Sequence, residues 1–270
     1  LDEIFPRRSS LERTALRGLL RAMRFFESNT IRVKVFLRDD MLDQVVRGSE
    51  GFTALTHITA RQADTLRWKE DQILSMVVKR LFVGNQRLAQ HLKIDLKRVE
   101  ASTDYREQAF YKVFAKTVHR GPKQTTTLRW IYNRCADGRG VVTPRDVIDL
   151  LSRAKQRQQD EFIANPDDTS SFIIGPSALQ YGLAELSKRK RQTYLQAEFP
   201  HLWSNIEKFV GGKTEYDEPA LQRVFGKDWK SIIDDLTSIG LLAKKTSRGK
   251  TVFSIPFLYR HGLELTQGKA

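Results

Sequence analysis

Residues 31–40 read IRVKVFLRDD, and this stretch constrains the chain more than any other. Ile31, Val33, Val35 and Leu37 are apolar, with Arg32 and Lys34 between them, which is the two-residue period of a strand. Val35, Phe36 and Leu37 then run without a polar break, as in a strand covered on both faces. Arg38, Asp39 and Asp40 end the run, and Met41, Leu42, Val45 and Val46 open a helical spacing. In open α/β sheets, ligand-binding groups sit at the carboxyl end of such a strand. The simpler reading is a strand whose Asp39 or Asp40 caps the next helix.

The stretch has no complete active site beside it. No GxxxxGK[ST] segment, nucleophile elbow or glycine-rich dinucleotide loop occurs in the 270 residues. Cys135 is the only cysteine, which excludes a disulfide framework and a thiolate metal site and makes a reducing cytoplasm the expected compartment. His57, His91, His119, His201 and His261 lack the spacing of a zinc enzyme. No apolar run approaches the ~20 residues of a membrane span, so no membrane partner is expected. The net charge of +14 favours a polyanionic partner, either nucleic acid or nucleotide phosphates. The dense basic groups are 188–191 (KRKR) and 244–250 (KKTSRGK).

Periodicity predicts a largely helical chain around that strand. Ser9 or Ser10 caps a first helix carrying Leu11, Ala15, Leu16, Leu19, Leu20, Met23 and Phe26. Its Arg13, Arg17, Arg21 and Arg24 form a basic edge, read as solvated. Within 57–68 (HITARQADTLRW) a short edge strand is expected, ending at 66–68 (LRW). Helices are expected over 69–82, 85–92, 104–117 and 124–136, with Cys135 in the core. Thr143, Pro144 and Asp146 fit the cap, first and third positions of a long helix that frays near Gln159, where Asp146 can answer the cap. Residues 165–175 (NPDDTSSFIIG) read as a linker. A long helix over 176–199 follows, then helices over 202–210, 218–225 and 228–239, then two short strands around a basic turn. Three helices and a two-stranded ribbon form the winged-helix pattern, a variant of helix-turn-helix.

Two arginines stand where a phosphate site would use them. Arg38 ends the central strand. Arg145 lies in the first turn of a sharply capped helix, where free N–H groups and the helix dipole favour an anion. A guanidinium offers a permanently charged fork that matches phosphate oxygens. The competing reading is structural: Arg38 paired with a neighbouring acid, and Arg145 with Asp146 or Asp149.

The order of these pieces, an acidic start, VFLRDD, LRW with its helix, TPRDVIDLL and a C-terminal winged helix, resembles the later half of bacterial P-loop ATPases of the STAND/AAA+ type, some of them linked to antiviral defence. The resemblance implies a mainly α fold with an α/β remnant: part of a P-loop NTPase core over 1–68, a helical lid over 69–170 and a winged-helix domain with its leading helix over 171–270. It implies that Arg38 is a sensor 1 residue and Arg145 a sensor 2 residue. Asp2 would be the tail of a Walker B segment, and His261 a weaker nucleotide contact. ATP and Mg2+ are the implied cofactors. A P-loop segment of the same protein, a homo-oligomer or an effector protein are the implied partners. Hydrolysis would need the P-loop, whose backbone and lysine hold the phosphates. The alternative is a non-enzymatic DNA- or RNA-binding module that uses Lys244, Lys245, Arg248 and Lys250 on phosphates. Against it, Asp234 and Asp235 lie on the helix that would read bases.

Overall fold

The computed structural model describes residues 9–26, 30, 33–37, 41, 42, 45, 66–165, 172–247 and 250–270. The chain divides into two units, Leu1–Leu66 and Arg67–Ala270. It is mainly helical, with a small four-stranded mixed sheet.

In the first unit, α1 spans Ser10–Ala22. Extended Ser9 caps it, its side chain accepting the Glu12 N–H at 3.0 Å. Leu16 and Leu20, one turn apart, are buried against Met41 and Val45, and Met23 and Leu37 pack at the edge of this cluster. Leu11 and Phe26, expected in the same stripe, are exposed. The Arg17 guanidinium donates to the Val45 carbonyl at 3.2 Å, so the basic edge is partly structural rather than simply solvated. Residues 33–37 form neither helix nor paired strand. A strand is held by a ladder to its neighbour, and no described segment pairs with this one. Phe36 is 77% exposed, which differs from the two-sided burial expected of it.

In the second unit, residues 67–69 are also in no strand, and α2 begins at once, spanning Glu70–Phe82. Its Ile73, Leu74, Val77, Val78 and Phe82 are buried at helical spacing. Three short helices follow: α3 (Gln86–His91), α4 (Leu96–Ala101) and α5 (Thr103–Phe110). Asn85, Asp95 and Ser102 cap them in turn. The helix expected to reach 117 stops at Phe110, because the chain beyond it pairs elsewhere. The Ile173 and Ile174 N–H groups donate to the Val113 carbonyl at 2.8 and 2.9 Å. This contact anchors the end of the expected linker, of which residues 166–171 lie outside the described residues.

Next come α6 (Thr127–Cys135), α7 (Pro144–Ala164) and α8 (Pro176–Lys190). Rather than fraying at Gln159, α7 continues to Ala164, with Arg157 and Glu161 paired one turn apart near its end. It packs along α8, where a Cβ at Gly182 would stand 2.4 Å from the Leu150 carbonyl oxygen. Only glycine permits that approach. After Lys190 the helix widens into a π-helical turn, Arg191–Gln196.

The remainder contains α9 (Pro200–Ile206), β1 (Lys213–Asp217), α10 (Glu218–Phe225), α11 (Trp229–Ser238), β2 (Ala243–Ser247), β3 (Lys250–Ser254), α12 (Phe257–Arg260) and β4 (Thr266–Lys269). The sheet order is β2-β3-β1-β4, antiparallel except for β1 with β4. Ala243 and Glu215 both face Ser254, on either side of the central β3. The buried residues of α2, α6, α7 and α8 are continuous with those of α9 to α12. Residue 170 therefore does not separate two cores.

Candidate functional site

The residues that sequence reasoning marked fall unevenly on the structure. Arg38, Asp2 and Arg248 lie outside the described residues. Arg145, His261, Lys244, Lys245 and Lys250 are described, and all five are exposed. The first two adjoin a joint between α7, α8 and the loop after α12.

The joint begins at the start of α7. Thr143 is extended, at φ −100° and ψ 138°, and its hydroxyl accepts the Asp146 N–H at 3.2 Å. Pro144 occupies the first helical position, where its missing N–H costs nothing. Cap and proline thus take up the amide positions around Arg145. Among the described residues, the Arg145 side chain makes no hydrogen bond or ion pair. Its two expected structural partners are already engaged. Asp146 holds Lys190 at 2.9 Å, and Asp149 holds Arg189 at 3.3 Å and Arg153 at 3.6 Å. Asp146 does not answer the cap as its spacing suggests. Its carboxylate turns inward instead and is almost fully buried.

The other side of the joint is the basic end of α8. Lys188 pairs with Glu185, Arg189 with Asp149, Lys190 with Asp146, and Arg191 with Glu264 at 3.0 Å and with the Gly262 carbonyl at 3.0 Å. Every cation of the KRKR group is therefore spoken for within the fold, and the group is not an open anion-binding patch. Gly262 completes the joint. Its N–H donates to the Ser187 hydroxyl at 2.8 Å, and a Cβ there would stand 2.3 Å from the Ser187 carbonyl oxygen. The neighbouring His261 is exposed as a residue, but its imidazole is partly desolvated, which lowers its pKa first, with the charge of Lys188 acting second.

A second tie lies at the DGRG turn ahead of α7. Asp137 accepts the Arg139 and Val141 N–H groups at 2.9 and 2.8 Å, which closes the turn on itself. The Gly138 N–H donates to the Gly240 carbonyl at 2.6 Å, at the corner between α11 and β2. Cys135, at the end of α6, is fully buried. Burial, and next the charge of Asp146, push its thiol pKa well up, so it is core rather than nucleophile.

The basic ribbon is less coherent than its sequence suggests. Lys244 and Lys245 are consecutive on β2 and so face opposite sides of the sheet. Lys244 lies opposite Phe253 in the ladder, its ammonium 6.0 Å from the ring centre. Lys245 lies opposite Val252 and shares its face with Lys250. On α11, Asp234 and Asp235 are exposed.

Sequence reasoning missed Asp146 as a buried anion, Lys190 as its partner, and the Ser187–Gly262 contact. No local pattern signals these, since the partners are 44 and 75 residues apart in the chain. Among the described residues no group of three His, Cys, Asp or Glu could hold a metal ion, and no helix is long and apolar enough to cross a membrane. No family model, curated protein or solved structure matches the chain.

Proposed function

We propose that the chain is the lid and winged-helix portion of a nucleotide-dependent switch of the P-loop ATPase class, STAND/AAA+ in type. It works with ATP, Mg2+ and a P-loop segment that the 270 residues do not contain. Arg145 is the phosphate-reporting arginine of the lid, and Arg38, which follows residues 33–37, is its counterpart in the ATPase core. The observation that carries the reading is the state of Arg145: it is exposed at the capped start of α7, with both neighbouring acids bound to other cations. An arginine without an ion pair among the described residues is available to an incoming phosphate. The Asp146–Lys190 and Ser187–Gly262 contacts supply a path from that arginine to the C-terminal helices and sheet. Oligomerisation on activation and a role in antiviral defence belong to the same proposal.

The test is Arg145→Ala, and separately Arg38→Ala, in a protein that carries an intact P-loop. ATP turnover falls about tenfold or more, as when one phosphate-contacting arginine is lost, or turnover persists and assembly no longer follows nucleotide. Unchanged turnover and unchanged assembly in both variants would sink the sensor roles.

A second reading has one observation in its favour: Lys245 and Lys250 share an exposed face of the ribbon. On that reading the module binds duplex nucleic acid through phosphates, and affinity falls steeply with salt. The acidic exposed residues of α11 weigh against it. Titration of the chain with duplex DNA or RNA at low salt decides between the two, since no binding removes the second.

A further inference from the structure

A separate feature lies on the other half of α7. Between α2, α7 and residues 172–174 is a cavity of about 840 Å³. That volume lies within the roughly 300–1,000 Å³ of pockets that take small organic ligands, which are apolar with a few placed polar groups. Its walls are apolar: Met76 and Leu81 from α2, Val113, Ile148 and Leu151 from α7, and Phe172. The charged groups that line it, among the described residues, are of one sign. Arg80 of α2 and Lys155 of α7 both contribute, and among the described residues no carboxylate lines the cavity. Neither cation has a side-chain hydrogen bond or ion pair among the described residues, although the basic end of α8 is fully paired. Of the neutral polar side chains in the lining, Gln158 is already engaged, its Oε1 accepting the Gly175 N–H at 2.7 Å.

We propose that this cavity binds an amphipathic organic anion, an apolar body carrying a carboxylate or sulfonate, with Arg80 and Lys155 taking the anionic head. Charge complementarity selects the occupant. A pocket that served only apolar filling has no need of two cations at its rim. A pocket for a cationic or zwitterionic ligand would place an acid among them. The apolar walls account for the body of the ligand through burial, and the guanidinium and ammonium account for the head through charge-assisted hydrogen bonds. This site is distinct from the Arg145 joint and does not depend on the nucleotide-switch reading.

The experiment uses the whole 270-residue chain. Fluorescence titration with 1-anilinonaphthalene-8-sulfonate should give one saturable site per chain. Decanoate should displace the probe, and decanol, which has the same apolar chain without charge, should do so about tenfold less well, a difference of about 1.4 kcal/mol. The double variant R80E/K155E changes two exposed residues, and its fold is checked by circular dichroism. It should weaken decanoate about tenfold or more and leave decanol unchanged. Leu151→Trp, which pushes an indole into the apolar part of the cavity, should weaken displacement by both. Three results would overturn the proposal: no saturable site, decanol equal to decanoate, or decanoate affinity in R80E/K155E within about twofold of the parent.

Discussion

Lys190 Nζ stands 2.9 Å from Asp146 Oδ1, with side-chain exposures of only 17% and 6%. The first turn of α7 is thereby fastened to the last turn of α8 by a largely desolvated ion pair. Removing one partner of such a pair leaves an uncompensated buried charge, which costs about 3–5 kcal/mol, whereas replacing both can be near neutral. Lys190→Met should therefore destabilise the chain by about 3 kcal/mol, and the double variant D146N/K190M should recover most of that loss. Urea denaturation measures both. A double variant as unstable as the single one contradicts the ion-pair account.

Gly240 has φ +76°, and a Cβ there would stand 2.4 Å from Asp137 Oδ2. A Cβ on Gly138 would stand 2.3 Å from the Leu242 carbonyl oxygen. Alanine at Gly240 meets both a left-handed backbone and a carboxylate, for a loss of more than about 1–2 kcal/mol from the backbone alone. Alanine at Gly140, whose φ is +75° but which has open space around it, should cost only the backbone part. Thermal melting of G240A against G140A reads the difference. Equal melting points would mean that the turn is not docked as described.

Cys135 is fully buried, with its thiol held protonated by burial. A thiol-reactive disulfide reagent should leave native protein unlabelled and should modify one thiol per chain once denaturant is added. In the K190M variant native labelling should accelerate, since opening becomes less costly. Rapid labelling of the native parent would contradict the assigned burial.

The lowered pKa of His261 sets a sign for pH dependence. Its folded pKa lies below the unfolded value of about 6.5, so the unfolded chain binds the proton first. The group therefore makes no demand on stability well above pH 6.5, and it lowers stability as pH falls through the unfolded value toward the folded one. His261→Asn should reduce the loss of stability between about pH 8 and pH 5.5 relative to the parent. Identical urea midpoint shifts in parent and variant would show that Lys188 and burial do not act on this ring.

Helices with strong local signals were legible in the sequence. The Thr143–Pro144 start, the α2 stripe and the bounds of α10 follow from caps and periodicity alone. β1 and β4 were not legible, and the reason is chemical. Thr214 is buried in β1, satisfied by its hydroxyl's hydrogen bonds with the Gly268 carbonyl and N–H, each at 3.2 Å, and β4 reads TQGK with no apolar residue. A strand held by polar exchange has no hydrophobic pattern to announce it. The reverse holds at 33–37, where an alternating pattern is present without a described partner to pair it. At the candidate site the sequence showed Arg145 as a helix-start arginine. It could not show that Asp146 and Asp149 would be taken by Lys190 and Arg189, because those contacts depend on how α7 and α8 dock.

Gly182 gives that docking a mechanical meaning. A Cβ at Gly182 would stand 2.4 Å from the Leu150 carbonyl oxygen, so the α8 backbone rests directly on α7 and a tilt of one helix presses on the other. Residues 145–162 of α7 span about 26 Å at ~1.5 Å rise per residue, so a tilt of about 5° at the capped end moves Phe162, at the mouth of the cavity, by about 2 Å.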